Sequence, residues 1–180
     1  MMEYLSKRAA EMTASGICSR IRSAAAELEG LVAGVSAADA RRRPIAGKWT
    51  IAEVVDHISQ TQIRGTEELR HLLAGRRPPL PPVYEALRSG AAEWAPWETL
   101  VSELGAANRA MVEVLEAAPD GTAEGAPKVR TVVVALRKLD DGSTAPQIFF
   151  AELGWKEYAL LQRLHLLDHR SQIRKLRAAL

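Results

Sequence analysis

The chain has 180 residues, of which 47% are hydrophobic and 26% are charged, a composition typical of a globular domain with a substantial core. The formal net charge of +2 and the lack of any apolar run of the ~18–20 residues that span a bilayer argue against nucleic-acid and membrane partners. The length of 180 residues suits one domain, and the single cysteine, Cys18, excludes an intrachain disulfide and is consistent with a reducing cytoplasm. We therefore expect one cytoplasmic domain over residues 1–180.

Helical periodicity dominates the first half of the sequence. Apolar residues recur at helical spacing over about residues 4–35, which predicts one long helix that Gly16 could interrupt. Thr50, followed three residues later by Glu53, forms a capping box. This signature predicts a second helix over about residues 50–74.

The middle of the chain is rich in proline. Five prolines lie within residues 75–97, and this density excludes a continuous helix there, although a short helical turn over residues 84–89 fits the pattern. The segment is much longer than a tight interhelical turn, so we expect it to cross the bundle. A third helix over about residues 97–118 follows, with Pro96 beside its start and Pro119 just past its end.

The segment before the last helix favours β-structure. The β-branched residues 129–136, the turn residues 140–143 and the apolar residues 147–150 predict a β-hairpin. A two-stranded ribbon is marginally stable alone, so it must pack on the bundle or on a partner chain. A fourth helix is predicted from Gly154 to the C-terminus. The expected fold is therefore an all-α four-helix bundle with a long crossover connection and a small β-hairpin before the last helix.

Two histidines, His165 and His169, are four residues apart on the fourth helix. This spacing places both on one helix face, which they share with Tyr158, Leu161 and Gln172. The apolar neighbours indicate a buried stripe, where a polar ring needs a partner. A metal ion is one such partner, and hydrogen bonds within a metal-free bundle are the alternative.

A histidine pair supplies only two ligands, whereas stable zinc or nickel sites usually have at least three protein groups. His57, in the second helix, is the candidate third ligand if the second and fourth helices are neighbours, and a structural or surface role is the alternative. His71 lies 14 residues further along the same helix, about 21 Å away at 1.5 Å per residue. One metal ion therefore cannot bind both His57 and His71.

Two segments resemble a known family. Residues 47–58, GKWTIAEVVDHI, resemble the segment that opens the second helix in the DinB/YfiT-like superfamily, and residues 165–173, HLLDHRSQI, resemble its C-terminal metal helix. The resemblance implies a four-helix bundle in which His57, His165 and His169 bind a divalent ion: zinc, nickel or iron. It also implies a homodimer and a small-molecule substrate, with activation of water for hydrolysis or of a low-molecular-weight thiol for transfer.

The sequence does not identify the catalytic residues, and it leaves open whether the protein is an enzyme. Candidates for orienting a ligand or touching a substrate are Glu53, Asp56, Thr61, Arg64, Asp168 and Gln172. The capping box gives Glu53 a structural alternative, and Arg64 could hold an anion if its face lines a cavity. The alternative function is a metal-stabilised dimeric binding module without catalysis, with contacts from the proline-rich connection and the apolar hairpin residues 148–150.

Overall fold

The computed structural model describes residues 1–83, 85–138, 142 and 144–180. Over this part of the chain, none of the helices is long and apolar enough to cross a bilayer. The elements in chain order are α1 (Met2–Glu11), α2 (Ala14–Ala33), α3 (Ala37–Arg41), α4 (Ile51–Leu73), a 3₁₀ turn (Ala91–Glu93), α5 (Trp97–Glu116), β1 (Val129–Lys138), β2 (Thr144–Leu153) and α6 (Trp155–Ala178).

The four longest helices form a bundle in which α2 and α4 each contact both α5 and α6. Gln62 donates to Asn108 across 3.2 Å, and Gly65 lies beside Met111. Residue numbers therefore rise together along α4 and α5, which means that the two helices are parallel. The connection over residues 74–96 returns along the bundle to join them, and the predicted four-helix bundle with a long crossover connection is confirmed.

Helix α6 runs antiparallel to α4. Tyr158, near the start of α6, donates to Glu68 late in α4, whereas His165, further along α6, lies against His57 near the start of α4. The beginning of α4 and the second half of α6 consequently meet at one end of the bundle. All three histidines of the predicted metal site lie at this end.

Two apolar clusters fill the core on either side of a buried polar layer in which Gln62 donates to Asn108 and Asn108 donates to Glu29. The cluster at the histidine end includes Leu28, Val54, Ile58, Leu104, Leu166 and Ile173. The cluster at the other end includes Leu5, Ile17, Leu69, Met111, Leu160 and the hairpin residues Val133 and Leu153. Burial of these side chains is the main source of stability.

The first predicted helix is two helices. The chain breaks at Met12 and Thr13 and not at Gly16, because the Thr13 hydroxyl accepts a hydrogen bond from the Gly16 N–H and starts α2 afresh. Such a cap satisfies a backbone donor that has no partner within the helix. The break lets α1 pack against α6 with Leu5 buried. The prediction of one helix over residues 4–35 is therefore wrong.

The proline-rich connection also differs from the prediction in one detail. Residues 85–89 form no helical turn, and Tyr84 lies outside the described part of the chain. The carboxylate of Asp56 accepts hydrogen bonds from the backbone N–H groups of Ser89 and Gly90, so these donors are used outside a helix. Gly90 has a φ of +82° that favours glycine, and the 3₁₀ turn follows it.

The predicted hairpin is present, with β1 and β2 paired antiparallel and Val133 opposite Phe149. Alternate residues face the bundle, because Val133 and Leu153 are buried in the core while Val134 and Ile148 are exposed. Of the predicted turn at residues 140–143, only Gly142 lies within the described part of the chain. The bundle therefore supplies the support that an isolated ribbon lacks.

Two glycines in helices provide a test of core packing. A Cβ at Gly65 would lie 2.8 Å from the Gln162 amide nitrogen and 3.2 Å from Met111 Cε, whereas a Cβ at Gly30 would meet nothing within 4 Å. We expect Gly65→Ala to lower the free energy of unfolding by about 1–3 kcal/mol through overpacking. Gly30→Ala should raise it by up to ~1 kcal/mol through helix propensity. Urea denaturation measures both, and equal effects would contradict the packing at Gly65.

Candidate metal centre

Three imidazole rings converge at the histidine end of the bundle. The Nε2 atom of His165 lies 3.0 Å from Nε2 of His57 and 3.0 Å from Nε2 of His169. One ring nitrogen from each histidine lies within 4.8 Å of the others. The antiparallel packing of α4 and α6 supplies the first contact, and the four-residue spacing on α6 supplies the second.

Hydrogen bonds on the far side of two rings set their orientation. His57 Nδ1 lies 2.8 Å from the Leu87 carbonyl oxygen, and His169 Nδ1 lies 2.8 Å from Oε1 of Gln172. Both partners are acceptors, so each Nδ1 carries the proton and each Nε2 directs a lone pair toward the centre. His165 Nδ1 is buried and has no hydrogen-bond partner among the described residues.

All three histidines favour the neutral form. Burial lowers the pKa of His57 and that of His169, although the acceptors at their Nδ1 atoms oppose the shift. The pKa of His165 lies well below its usual range, because burial removes hydration and the neighbouring His169 and His57 repel a further charge. Neutral imidazole is the form that binds metals, so all three rings are available as ligands near neutral pH.

The spacing of the nitrogen atoms fits a shared divalent ion. Zinc binds imidazole nitrogen at about 2.0–2.1 Å, which places two nitrogens on one ion roughly 2.9–3.4 Å apart at octahedral to tetrahedral angles. The two separations from His165 Nε2, both 3.0 Å, lie in this range, and the ligand nitrogens of His57 and His169 lie within 4.8 Å of each other. Converging lone pairs repel each other unless a proton or a cation lies between them. Imidazole nitrogen ligands suit zinc, nickel, copper and iron.

Asp56 acts on the centre indirectly. The sequence predicts Asp56 as a candidate for orienting an imidazole directly. Its buried carboxylate instead accepts hydrogen bonds from the Ser89 hydroxyl at 2.6 Å, the Ser89 N–H at 3.2 Å and the Gly90 N–H at 3.1 Å. These bonds hold the returning connection against the start of α4. Leu87 lies in the same connection, so Asp56 helps to position the carbonyl oxygen that orients His57.

Gln172 is the predicted candidate that touches an imidazole directly, through His169. Glu53 forms the expected capping box with Thr50 and pairs with Arg43 and Arg88, which favours its structural interpretation. Burial raises the pKa of Glu53, but the hydrogen bond from the Thr50 N–H and the charge of Arg43 outweigh it and lower the pKa overall.

Thr61, Arg64 and Asp168 line a cavity beside the histidines. The Thr61 hydroxyl donates to the His57 carbonyl oxygen at 2.8 Å. The Arg64 guanidinium is paired with Glu68 at 2.6 Å, so its charge is neutralised within the chain. Asp168 is exposed at the rim, and its charge raises the pKa of His169 against the larger effect of burial.

The cavity has a volume of about 860 Å³, which is the size of a small-molecule site. His57, His165 and His169 line one part of it, and residues 130–134 of β1 and residues 85–87 of the returning connection form further walls. A ligand in the cavity can therefore reach the three imidazoles.

Sequence reasoning missed several residues around the centre. The Leu87 carbonyl is a backbone group and has no sequence signal. Trp49 lies within the family-like segment 47–58, but the sequence assigns it no function. Its ring centroid lies 5.1 Å from that of His57 and 6.5 Å from that of His169. Arg88 covers the Trp49 ring at 5.2 Å. The Trp49 ring therefore packs beside the His57 and His169 imidazoles, with Arg88 in a cation–π contact on it.

The fold and the site define a four-helix bundle protein with three convergent histidines, and comparison with known proteins gives its family. The sequence model of the DinB superfamily matches residues 20–173. The chain belongs to the DinB superfamily. No curated protein matches the sequence significantly.

Two solved structures are similar in fold. YfiT from Bacillus subtilis, described as a probable metal-dependent hydrolase with an unusual four-helix bundle topology, has a TM-score of 0.56 and 15% identity, covering 91% of this chain and 85% of that one. TT2238, a four-helix bundle protein, has a TM-score of 0.52 and 17% identity, covering 88% of this chain and 99% of that one. At these identities the similarity shows the fold.

The lowered histidine pKa values predict acid sensitivity of the metal-free protein. The unfolded chain binds protons near pH 6.5 while the folded histidines do so only at lower pH, so stability is lost as pH falls below about 6.5. The loss approaches 1.4 kcal/mol per pH unit for each histidine that stays neutral. Urea denaturation of chelated protein at about pH 7.5 and 5.5 measures it.

Two variants localise this effect. His165→Leu should reduce the loss of stability by about 1 kcal/mol, since it removes the histidine with the strongly lowered pKa. His71→Gln, which removes a histidine outside the cluster, should retain the loss. An unchanged pH dependence in His165→Leu would contradict the assignment of acid sensitivity to the centre.

Proposed function

We propose that the protein is a divalent-metal-dependent hydrolase whose ion is held by His57, His165 and His169. The three imidazoles converge at the wall of a ligand-sized cavity, with Nε2 of His165 3.0 Å from Nε2 of His57 and 3.0 Å from Nε2 of His169, and this convergence carries the proposal. A divalent ion at this position supplies Lewis-acid activation of water, and a ligand set of three imidazoles leaves room for exogenous groups. Membership of the DinB superfamily and the description of YfiT support it.

The chain's own residues prepare the site in three ways. Leu87 and Gln172 hold two imidazoles with their lone pairs inward, so little reorganisation is needed on binding. Trp49 packs beside two of the imidazoles. Asp168, at the rim of the cavity, is the carboxylate that we assign to taking up or giving a proton during hydrolysis.

Several finer features stay predictions. Zinc, nickel and iron all suit imidazole ligands, so the native ion is not determined by the donor set. Transfer to a low-molecular-weight thiol uses the same kind of centre, as thiols lose their proton on a metal. A homodimer is also a prediction, whether the protein is an enzyme or a binding module. Its contact would use the exposed side of the hairpin, where Val134 is 58% and Ile148 is 67% accessible.

Metal content tests the centre directly. Protein purified without chelator or nickel resin should contain about one divalent ion per chain, because three ligands converge on one point. His165→Ala should lose the ion, and the matched variant His71→Ala should retain it. Elemental analysis measures both, and undiminished metal in His165→Ala would overturn the proposed centre.

Turnover tests the proposed reaction. The metal-loaded protein should hydrolyse members of an ester and amide panel, and chelation should abolish the activity. Asp168→Asn should keep its metal and lose about 10²–10⁴-fold in rate, the usual contribution of a general acid or base. Metal-loaded protein inactive on every panel member, but active in thiol transfer, would instead favour a transferase.

The role of Asp56 gives a separate prediction. Asp56→Ala removes the acceptor that holds Ser89 and Gly90, so the Leu87 carbonyl loses its support and zinc affinity should fall about 10–100-fold. Asp120→Ala is the matched control, since Asp120 accepts from the Ala14 N–H at the far end of the bundle. Competition with a chromogenic chelator measures affinity, and equal effects of the two variants would refute a specific role for Asp56.

A further inference from the structure

The cavity follows one edge of the β-hairpin. Residues 130–134 of β1 all line it, although the side chains of successive residues in a strand point to opposite faces of the sheet. None of the described residues of β2 lines it. A cavity over either face of a ribbon only two strands wide would contact both strands. The cavity therefore runs along the edge of β1 that faces away from β2.

A proline in β2 shows which backbone groups lie at this edge. Pro146 is opposite Leu136 in the ladder and has no N–H, so its nitrogen points away from β1. In an antiparallel ladder, pairs of opposite residues that bond to each other alternate with pairs whose N–H and C=O groups point outward. Counting back from Leu136 in steps of two, the N–H and C=O groups of Arg130, Val132 and Val134 point to the open edge of β1.

The backbone groups at this edge are available for pairing. No backbone hydrogen bond joins residues 130–134 to a described residue outside the hairpin. Arg130 and Val134 are exposed and Val132 is half-buried, whereas Val133, whose backbone groups bond within the ladder, is 1% exposed. An open strand edge of this kind pairs readily with a further strand.

The other walls of the cavity suit an extended apolar chain. Leu161 and Leu164 of α6 and Pro82 and Val83 of the returning connection line it. Its volume of about 860 Å³ is that of a site for a drug-sized ligand. Residues 130–134 span about 13 Å, and an extended peptide of three residues spans about 10 Å. A short peptide therefore fits beside β1.

We propose that the open edge of β1, formed by Arg130, Val132 and Val134, binds the substrate as an additional β-strand, so that the substrate is a short peptide with apolar side chains. An extended peptide is the ligand whose own N–H and C=O groups match those of alternate residues about 7 Å apart. The inference rests on the proposed function, because the three histidines line the same cavity. Hydrolysis adds one water across a peptide C–N bond and releases a carboxylate and an amine.

Amide hydrogen exchange on chelated protein tests the edge, with the neutral peptide acetyl-Val-Ala-Val amide as the probe. In the free protein, we expect the N–H groups of Arg130, Val132 and Val134 to exchange faster than those of Thr131 and Val133, which bond within the ladder. Saturating peptide should slow the first three at least about fivefold, as expected for one added hydrogen bond each, and leave the other two unchanged.

Three results would overturn the proposal. The edge N–H groups could already be protected in dilute free protein, or they could still exchange rapidly at the highest soluble peptide concentration. Protection that rises with protein concentration in the absence of peptide would instead identify a second copy of the chain as the occupant. An analogue with esters in place of its internal amides lacks the N–H donors and should bind at least about fivefold more weakly than the peptide.

Two proline variants provide a matched comparison. Val132 and Ile148 both lie in pairs whose N–H groups point outward, so neither Val132→Pro nor Ile148→Pro removes a ladder hydrogen bond. Only Val132 lines the cavity. Val132→Pro should weaken peptide binding at least about fivefold, and Ile148→Pro should leave it unchanged. Equal affinities would contradict pairing at β1, and the exchange pattern of the wild type decides if either variant fails to fold.

Zinc separates this proposal from the proposed function. Peptide pairing on chelated protein that binds no zinc supports the edge and overturns the metal-dependent hydrolase. Zinc binding and hydrolysis of other amides or esters, without peptide pairing, leave the hydrolase intact and overturn the edge. Pairing without cleavage by the zinc-loaded protein overturns the peptide as substrate.

Discussion

The centre depends on one electrostatic constraint: three neutral imidazoles meet inside a largely buried site, and those of His57 and His169 direct a lone pair toward the third. Acceptors at Nδ1 of His57 and His169 fix where the protons reside, and burial keeps the rings uncharged. In water, each lone pair would be solvated individually. Nε2 of His165 lies 3.0 Å from each of the other two Nε2 atoms, and nitrogen lone pairs at this distance repel each other unless a proton or a cation lies between them. The geometry therefore favours a positive charge at the centre.

The arrangement of helices follows from this constraint. His57 can meet His165 because α6 runs antiparallel to α4, and the acceptor for His57 comes from a connection that first has to return along the bundle. Joining two parallel neighbours requires a long segment, and here that segment also supplies a wall of the cavity. The connection is thus part of the site as well as a link between helices.

Local signals in the sequence were sufficient for much of this structure. Three of these signals act within a few residues of the chain. The Thr50–Glu53 capping box starts α4, the four-residue spacing brings His165 and His169 together, and the β-branched residues lie in β1, all as predicted. The break at Thr13 was not predicted, because an N-cap residue changes helix stability by only about 1 kcal/mol. Such a small free-energy difference does not distinguish a new helix from a continued one in the sequence.

Features that depend on chain topology could not be predicted in this way. The Leu87 carbonyl reaches His57 only because Asp56 holds Ser89 and Gly90, and none of these contacts follows from spacing. Similarly, the pairing of Arg64 with Glu68 was accessible from their helical spacing, but the contribution of Tyr158 from another helix was not. The sequence therefore indicated which side chains could matter more readily than it indicated what each one contacts.

The returning connection has a thermodynamic consequence. One stretch of chain holds the acceptor for His57 and, through residues such as Pro82 and Ala86, also contacts whatever enters the cavity. A ligand that shifts this stretch alters the imidazole at the same time. Because such coupling is reciprocal, occupancy of the cavity and occupancy of the centre must change each other's affinity by the same factor.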